Sequence, residues 1–427
     1  MAFSNFISEV TQDQKSALVA SAVGSLSKLS YAEVKDLSAL KASALEAVAR
    51  ACHEQGLHLP GEENRELADR VVAQINGMGF MHELLYERRD LNEVTINPDG
   101  SLFVLRKGAA RFEKLRDDLQ LAEVWRVVDA LLAQSGRAVN DASPSVNAKL
   151  RRDDSRGFGG ARVKILHPAV VPGNGLGFPS INVRLFEPKP VPPEQLIEWD
   201  VAPEQVVRTL VELVARQARM LVIGGTATGK TTILSALCSG IPKEERVVKI
   251  EDPEEIWIDH PNVVTIEARP ALPGASVVGY EVKDGVDDAM RMSPRYLIVG
   301  EVRKGDQALA LFRAIMSDHP GLTTFHAEGP QAAVTRMGVI MYADAGVRME
   351  GAKSIFAQAM DLVVQIGWPR TADGKPALDP DGVQRRKLLG IWEVGKNLGG
   401  GDVRFKQLFH FGAEAMELPS HLRGGAA

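Results

Sequence analysis

The chain is poor in cysteine: its 427 residues hold two, Cys52 and Cys238, far apart. Two thiols supply neither a disulfide framework nor a four-ligand zinc module. Cys238 falls on a helical segment, where a core position suits it better than a redox one. Long apolar runs are also missing, and nothing approaches the roughly eighteen uninterrupted apolar residues of a membrane span. The opening stretch, Met1–Glu9, lacks a basic region followed by an apolar one, so no secretion signal is read there. An excess of positive charge is absent as well: a net charge of −5 offers nucleic acid no overall attraction. Together these absences point to the cytoplasm. What is present is ordinary for a globular protein, 45% hydrophobic and 25% charged residues, in a length that suggests several domains.

The most informative segment is Gly224-Gly225-Thr226-Ala227-Thr228-Gly229-Lys230-Thr231-Thr232, which fits G-x-x-x-x-G-K-[ST]. Met220–Ile223 before it reads as a buried strand, and Ile233, Leu234 and Leu237 after it as the inner face of a helix. In that context the stretch reads as a phosphate-binding loop. Its glycines allow backbone N–H groups to curl round a polyphosphate, and the helix N-terminus adds partial positive charge. Lys230 reaches the terminal phosphates, and Thr231 can hold Mg²⁺.

Residues 1–60 read as a small helical extension, with Thr11/Gln14 and Ser30/Glu33 placed like capping boxes and a stripe of Val34, Leu37, Leu40, Ala44, Leu45 and Val48. Residues 61–187 read as an α+β domain. It contains the strands Glu93–Ile96 and Leu102–Leu105 about an Asn97-Pro98-Asp99-Gly100 hairpin turn, a helix near Leu121–Ser135, an Arg- and Gly-rich stretch from Leu150 to Arg162, and a strand ending at Arg184. A linker follows over 188–200, where Pro188, Pro190, Pro192 and Pro193 stiffen the chain and interrupt both helix and sheet. From 201 to 411, apolar runs at Met220–Ile223, Val247–Ile250, Val263–Ile266, Tyr296–Val299 and Leu322–Phe325 alternate with helical segments. That alternation predicts an α/β domain with a mostly parallel sheet and the phosphate loop at the carboxyl end of its strand. Asp361–Ile366 and Lys387–Ile391 add two strands, and 412–427 is a short tail.

Hydrolysis needs acids that hold Mg²⁺ and orient water. Leu297-Ile298-Val299-Gly300-Glu301 is an apolar strand delivering a carboxylate at its carboxyl end, with Arg303 two residues on. Ile250-Glu251-Asp252-Pro253-Glu254-Glu255 ends another strand in an acid cluster whose repulsion calls for a nearby cation. His319 and His326 flank a further strand, the second placed where an imidazole can touch a terminal phosphate.

These motifs in this order resemble the secretion ATPases that drive type II and type IV secretion, type IV pilus assembly and conjugative transfer. The resemblance runs from about Leu84 to Val394. It covers a Walker A loop (Gly224–Thr232), an Asp box (Ile250–Glu255), a Walker B element (Val299–Arg303), a His box (His319–His326) and a Glu267-Ala268-Arg269-Pro270 segment. The resemblance implies a RecA-like P-loop motor domain, preceded by a PAS-like α+β domain and the helical extension. It also implies that Glu301 polarises the attacking water, that Glu255 and Glu251 support it or the Mg²⁺ shell, and that His326 senses the γ-phosphate. Arg303 and His319 are expected beside the nucleotide. Arg162 and Arg184 match best the arginines that reach nucleotide in relatives, with Arg151 and Arg152 in reserve; a planar, permanently charged fork suits phosphate. The chain departs from the family at Glu328, where Asn is usual after His-Ala, and at Arg295, where Pro-Asp is usual before Walker B.

The expected protein is therefore a Mg²⁺-dependent, ATP-hydrolysing homo-hexamer. It would be cytoplasmic and peripherally associated with the inner membrane through secretion or pilus platform components and substrate-coupling proteins, without direct nucleic-acid binding. Asp361–Val394 looks most like the conjugation and type IV secretion branch, including its pilus-assembly relatives. Two competing readings are a helicase-like nucleic-acid motor and a non-catalytic nucleotide-binding scaffold. Against the first stand the acidic balance and the lack of a basic-aromatic platform. Against the second stand Lys230, Thr231 and Glu301.

Overall fold

The computed structural model describes residues 10–26, 36–76, 78–109, 111–133, 135–269, 278–380 and 382–420. The Met1–Glu9 start, the Ser30/Glu33 box, Val34 and Pro270 lie outside the described residues. The chain divides into two compact units, Met1–Pro188 and Lys189–Ala427.

The first unit begins with α1 (Gln12–Leu26), α2 (Leu37–Glu54) and α3 (Gly61–Asn76). Thr11 and Gln14 form the expected capping box: the Thr11 N–H donates to Gln14 Oε1 at 2.9 Å and the Gln14 N–H to Thr11 Oγ1 at 3.3 Å. Asp36 caps α2, its carboxylate accepting from the Ser38 and Ala39 N–H groups at 3.1 Å each. Leu18, Leu40, Ala44, Val48, Leu67 and Val71 share one small core among these helices.

The remainder of the unit is β1 (Leu91–Ile96), β2 (Leu102–Arg106), β3 (Glu113–Arg116), α4 (Leu121–Leu132), β4 (Ser145–Leu150), β5 (Ala161–Leu166) and β6 (Ser180–Leu185). The strands make a six-stranded sheet in the order β3-β2-β1-β6-β5-β4, and each adjacent pair is antiparallel. Asn97–Gly100 turns β1 into β2, the Gly100 N–H closing on the Asn97 carbonyl at 2.9 Å. Burial alternates along β5: Ala161, Val163 and Ile165 are buried in the core with Val124, Val128 and Leu131 of α4, while the residues between them are partly exposed.

The second unit opens with α5 (Pro193–Glu198) and α6 (Glu204–Ala215). The proline-dense stretch is thus not without helix. Pro193 occupies the first turn of α5, where its missing N–H costs no hydrogen bond. Next come β7 (Met220–Gly224), α7 (Lys230–Leu237), β8 (Val247–Glu251), β9 (Val263–Glu267), α8 (Val282–Ala289), β10 (Tyr296–Val299), α9 (Gly305–Met316) and β11 (Gly321–His326). The unit closes with α10 (Pro330–Ala345), α11 (Met349–Ala359), β12 (Leu362–Gly367), β13 (Lys387–Val394) and β14 (Phe405–His410).

Its eight-stranded sheet runs β14-β13-β12-β7-β11-β10-β8-β9. From β12 to β9 neighbours are parallel, while β13 and β14 are added antiparallel. One face packs on α6 and α7 through Leu210, Leu213, Leu234 and Leu237. The other packs on α8 to α11 through Val286, Leu311, Phe312 and Phe356. With both faces covered, β7, β8 and β10 are buried at every residue. Polar chemistry in such a sheet is pushed to the strand ends.

Candidate active site

The parallel register gathers the motif residues along one edge. His326 lies opposite Gly224, Val299 opposite Thr323, and Val299 opposite Ile250. The phosphate loop, His326, Glu301 and the acid loop therefore all leave the sheet at its carboxyl edge.

Between β7 and α7 the loop turns through left-handed backbone at Ala227 (φ 57°) and Gly229 (φ 97°). A side chain at Gly224 would collide with the Ile366 carbonyl of β12, so this position needs glycine for close strand approach. The Thr228 hydroxyl braces the turn by donating to the Gly225 carbonyl at 2.9 Å. Lys230 folds back over it, its ammonium donating to the carbonyls of Gly224 at 3.2 Å and Gly225 at 2.8 Å. Thr231 and Thr232 follow in the first turn of α7, both partly exposed, as are Gly225, Ala227 and Gly229; Thr226 is exposed at the tip.

Glu301 follows β10 and is partly exposed. Its Oε2 accepts from Arg303 Nε at 2.7 Å, and Arg303 Nη1 donates to the Asp252 carbonyl at 3.2 Å. Arg303 thereby ties Glu301 to the acid loop.

Glu251 differs. It is 3% exposed, and its carboxylate accepts from the N–H groups of Glu255 at 3.1 Å and Ile256 at 3.0 Å. Lys249, 2% exposed on the same face of β8, pairs with it at 3.0 Å. The same ammonium binds Glu254 Oε1 at 3.1 Å and the Ile256 carbonyl. Burial pushes the Glu251 carboxyl up from its ordinary range, against the pull of Lys249 and the two N–H groups. The loop carrying Glu254 and the partly exposed Glu255 is thus wrapped around a buried ion pair.

His326 ends β11 beside the phosphate loop. Burial, then the Lys230 and Arg336 charges, hold its imidazole below the ordinary 6.5, while Glu301 and Glu328 pull the other way. The ring feels both Lys230 and Glu301, which places all three side chains in one electrostatic neighbourhood. His319 does not join them. It precedes the amino end of β11, at the opposite edge of the sheet, with Nδ1 2.9 Å from the Pro294 carbonyl. A strand of six residues separates two histidines that are only seven apart in the chain.

In the first unit, Arg162 and Arg184 stand directly opposite one another on β5 and β6. The row extends to Lys149 opposite Arg162 and to Glu93 opposite Arg184, with Arg184 Nη1 4.0 Å from Glu93 Oε1. The row thus sets three basic side chains and one acid side by side across four strands.

Two residues beside the site escaped sequence reasoning. Lys249 interrupts an apolar strand, and the acid cluster's need for a cation was its only signal. Arg386, in the connection from β12 to β13, donates to the Ala227 carbonyl of the phosphate loop at 3.4 Å. Nothing in local sequence ties it there. Burial pushes the Cys238 thiol up to about 12, as befits a core residue.

For Mg²⁺, Thr231 and Glu301 offer hard oxygen ligands of the kind this ion takes together with waters and substrate phosphates. Among the described residues no three His, Cys, Asp or Glu side chains gather as a dedicated metal cage. A shared site completed by nucleotide fits this donor set.

Residues 78–366 match the model of the "Type II/IV secretion system protein" family, and the chain belongs to that family. Within it, the chain falls on the conjugation and type IV secretion side. It is 27% identical over 278 residues to the conjugal transfer protein TrbB of Rhizobium radiobacter, covering 64% of this chain and 78% of TrbB. It is 32% identical over 163 residues to the type IV secretion system protein VirB11 of Bartonella quintana, covering 37% of this chain and 45% of VirB11. The match spans only 37% of the length of a Methanocaldococcus jannaschii relative. Among solved structures, the Legionella pneumophila ATPase DotB aligns with a TM-score of 0.50 at 20% identity, over 74% of this chain and 81% of DotB, a likeness of fold. Among the described residues no helix is long and apolar enough to cross a membrane.

Proposed function

We propose that this chain is an ATPase that works as a homo-hexamer to energise a type IV secretion, conjugation or type IV pilus-like assembly machine. The second unit is its RecA-like motor and the α+β portion of the first a PAS-like partner domain. The ring is held on the cytoplasmic face of the inner membrane by platform and substrate-coupling components. The observation that carries this reading is the shared neighbourhood of Lys230, Glu301 and His326 at the carboxyl edge of a parallel sheet, supported by the family membership.

In this reading the loop N–H groups, from Gly224 to Thr232, cradle the phosphates of ATP, and Lys230 exchanges two backbone carbonyls for the terminal phosphate oxygens. Thr231 and Glu301 would hold Mg²⁺, which supplies charge neutralisation on the phosphates when bound. Glu301 orients the attacking water and takes its proton, once released from Arg303. Glu251 holds the acid loop so that Glu255 faces the same edge. His326, kept neutral by its surroundings, offers a ring N–H to the γ-phosphate. Arg162 and Arg184 provide phosphate-binding forks to the nucleotide of an adjacent subunit.

The test is phosphate release by assembled protein with Mg²⁺ and ATP. Glu301→Gln is expected to keep ATP binding and lose turnover. Undiminished release by that variant removes Glu301 from the mechanism, and absent turnover in wild-type rings replaces the motor with a nucleotide-binding scaffold.

A further inference from the structure

β12 borders β7 on the side away from β11 and β10. The chain leaving β12 at Trp368 comes back at Arg386, one residue before β13. There the Arg386 guanidinium carbon lies 5.6 Å from the centre of the Trp368 ring. Nη1 reaches the Ala227 carbonyl at 3.4 Å, and an added Cβ on Gly229 would stand 3.5 Å from the same nitrogen. Arg386 thus leans over both left-handed residues of the phosphate loop, from the flank opposite Glu301 and His326.

This inference rests on the ATP-site reading. A triphosphate whose terminal phosphate faces Glu301 and His326 must direct its nucleoside end towards the other flank, that of β12. The guanidinium stands at cation–π distance from the indole, and it is a flat cation, the shape that stacks on a heteroaromatic base. Lys230, on the loop itself, already supplies a cation for the terminal phosphates. We propose that Arg386, backed by Trp368, is a nucleotide-binding residue that receives the base of the bound nucleotide by stacking.

The test compares two ligands displacing a fluorescent ATP analogue from the full-length protein: ATP, and inorganic tripolyphosphate, which has the phosphates and no base. Arg386→Ala is expected to weaken ATP about tenfold and to leave tripolyphosphate within about twofold. Arg386→Lys keeps the aliphatic stem and the charge but not the plane, so it should behave like the alanine variant towards ATP while melting with the wild type. An equal loss for both ligands, a rescue by lysine, or undiminished ATP binding each overturns the assignment. Lys230→Ala serves as the control and should weaken both ligands. If it weakens neither, the phosphate-loop reading itself has failed and this assignment falls with it.

Discussion

The two sheets of this protein use the same kinds of residue to opposite ends. In the antiparallel sheet of the first unit, burial alternates along β5, and Lys149, Arg162 and Arg184 form a charged row across the strands. In the second sheet the parallel strands β7, β8 and β10 are buried at every residue, and the charge within them, Lys249, is paired with Glu251, while Glu301 and His326 stand partly exposed at strand ends. The charge in the middle of β8 serves the fold and keeps Glu251, at that strand's carboxyl end, buried with it, whereas Glu301 and His326, partly exposed at the ends of theirs, are available for chemistry. The antiparallel sheet draws no such line, because Lys149, Arg162 and Arg184 are partly exposed within its strands.

Glu301→Gln is the sharpest probe of the strand-end half of this contrast. Turnover should fall about 10²–10⁴-fold, the usual worth of a positioned base, with no loss of stability in urea. A large drop in stability would mean that Glu301 belongs with Lys249 instead. Lys249→Met is the complement. It strands Glu251 in the interior and should cost about 3–5 kcal/mol of unfolding free energy, and replacing both partners by apolar residues should recover much of that. A destabilisation below about 1 kcal/mol, the range of exposed pairs, would erase the distinction between strand middle and strand end.

Lys230→Ala should weaken ATP roughly 10–100-fold, as loss of charge-assisted hydrogen bonds does, with unfolding unchanged. For the outward row, Arg162→Ala and Arg184→Ala should change stability by no more than about 0.5 kcal/mol. They should nevertheless flatten the rise of turnover with protein concentration, because the partner proposed for them is a neighbouring subunit's nucleotide; activity per chain that never depends on concentration refutes that role. The smallest effect concerns pH. The folded state holds His326 below its ordinary 6.5, so the unfolded chain takes up that proton first. Stability from this group is therefore intact above 6.5 and declines as pH falls below it. His326→Gln should remove that part of the acid slope, and an identical slope in the variant shows that His326 is not its source.

Much of this was legible before any coordinates. The glycine-lysine loop announces itself because its glycines stand between an apolar run and a helical segment, and apolar runs ending in Glu251, Glu301 or His326 announce buried strands with polar ends. The hairpin at Asn97–Gly100 and the Thr11/Gln14 cap were equally plain, since turn and cap chemistry acts over a few residues. Other features were not. β14 shows no clean alternation, with partly exposed or exposed residues at its start and buried ones near its end, so no pattern of period two marks it. His319 and His326 looked like a pair because sequence spacing does not say that a strand sends its two ends to opposite edges of a sheet. Arg386 and Ala227 are 159 residues apart, and only strand order brings them together.

Composition, periodicity and motif spacing by themselves determined that this is an α/β protein with a glycine-lysine loop and acids at strand ends, because those features are local consequences of side-chain pattern and backbone permissiveness. Tertiary structure decided which charges are buried and which are presented, which histidine shares the loop's edge, and which distant arginine leans over the loop. Those outcomes depend on strand order and direction, which are set by the packing of both sheet faces at once and are written in no single segment of the chain.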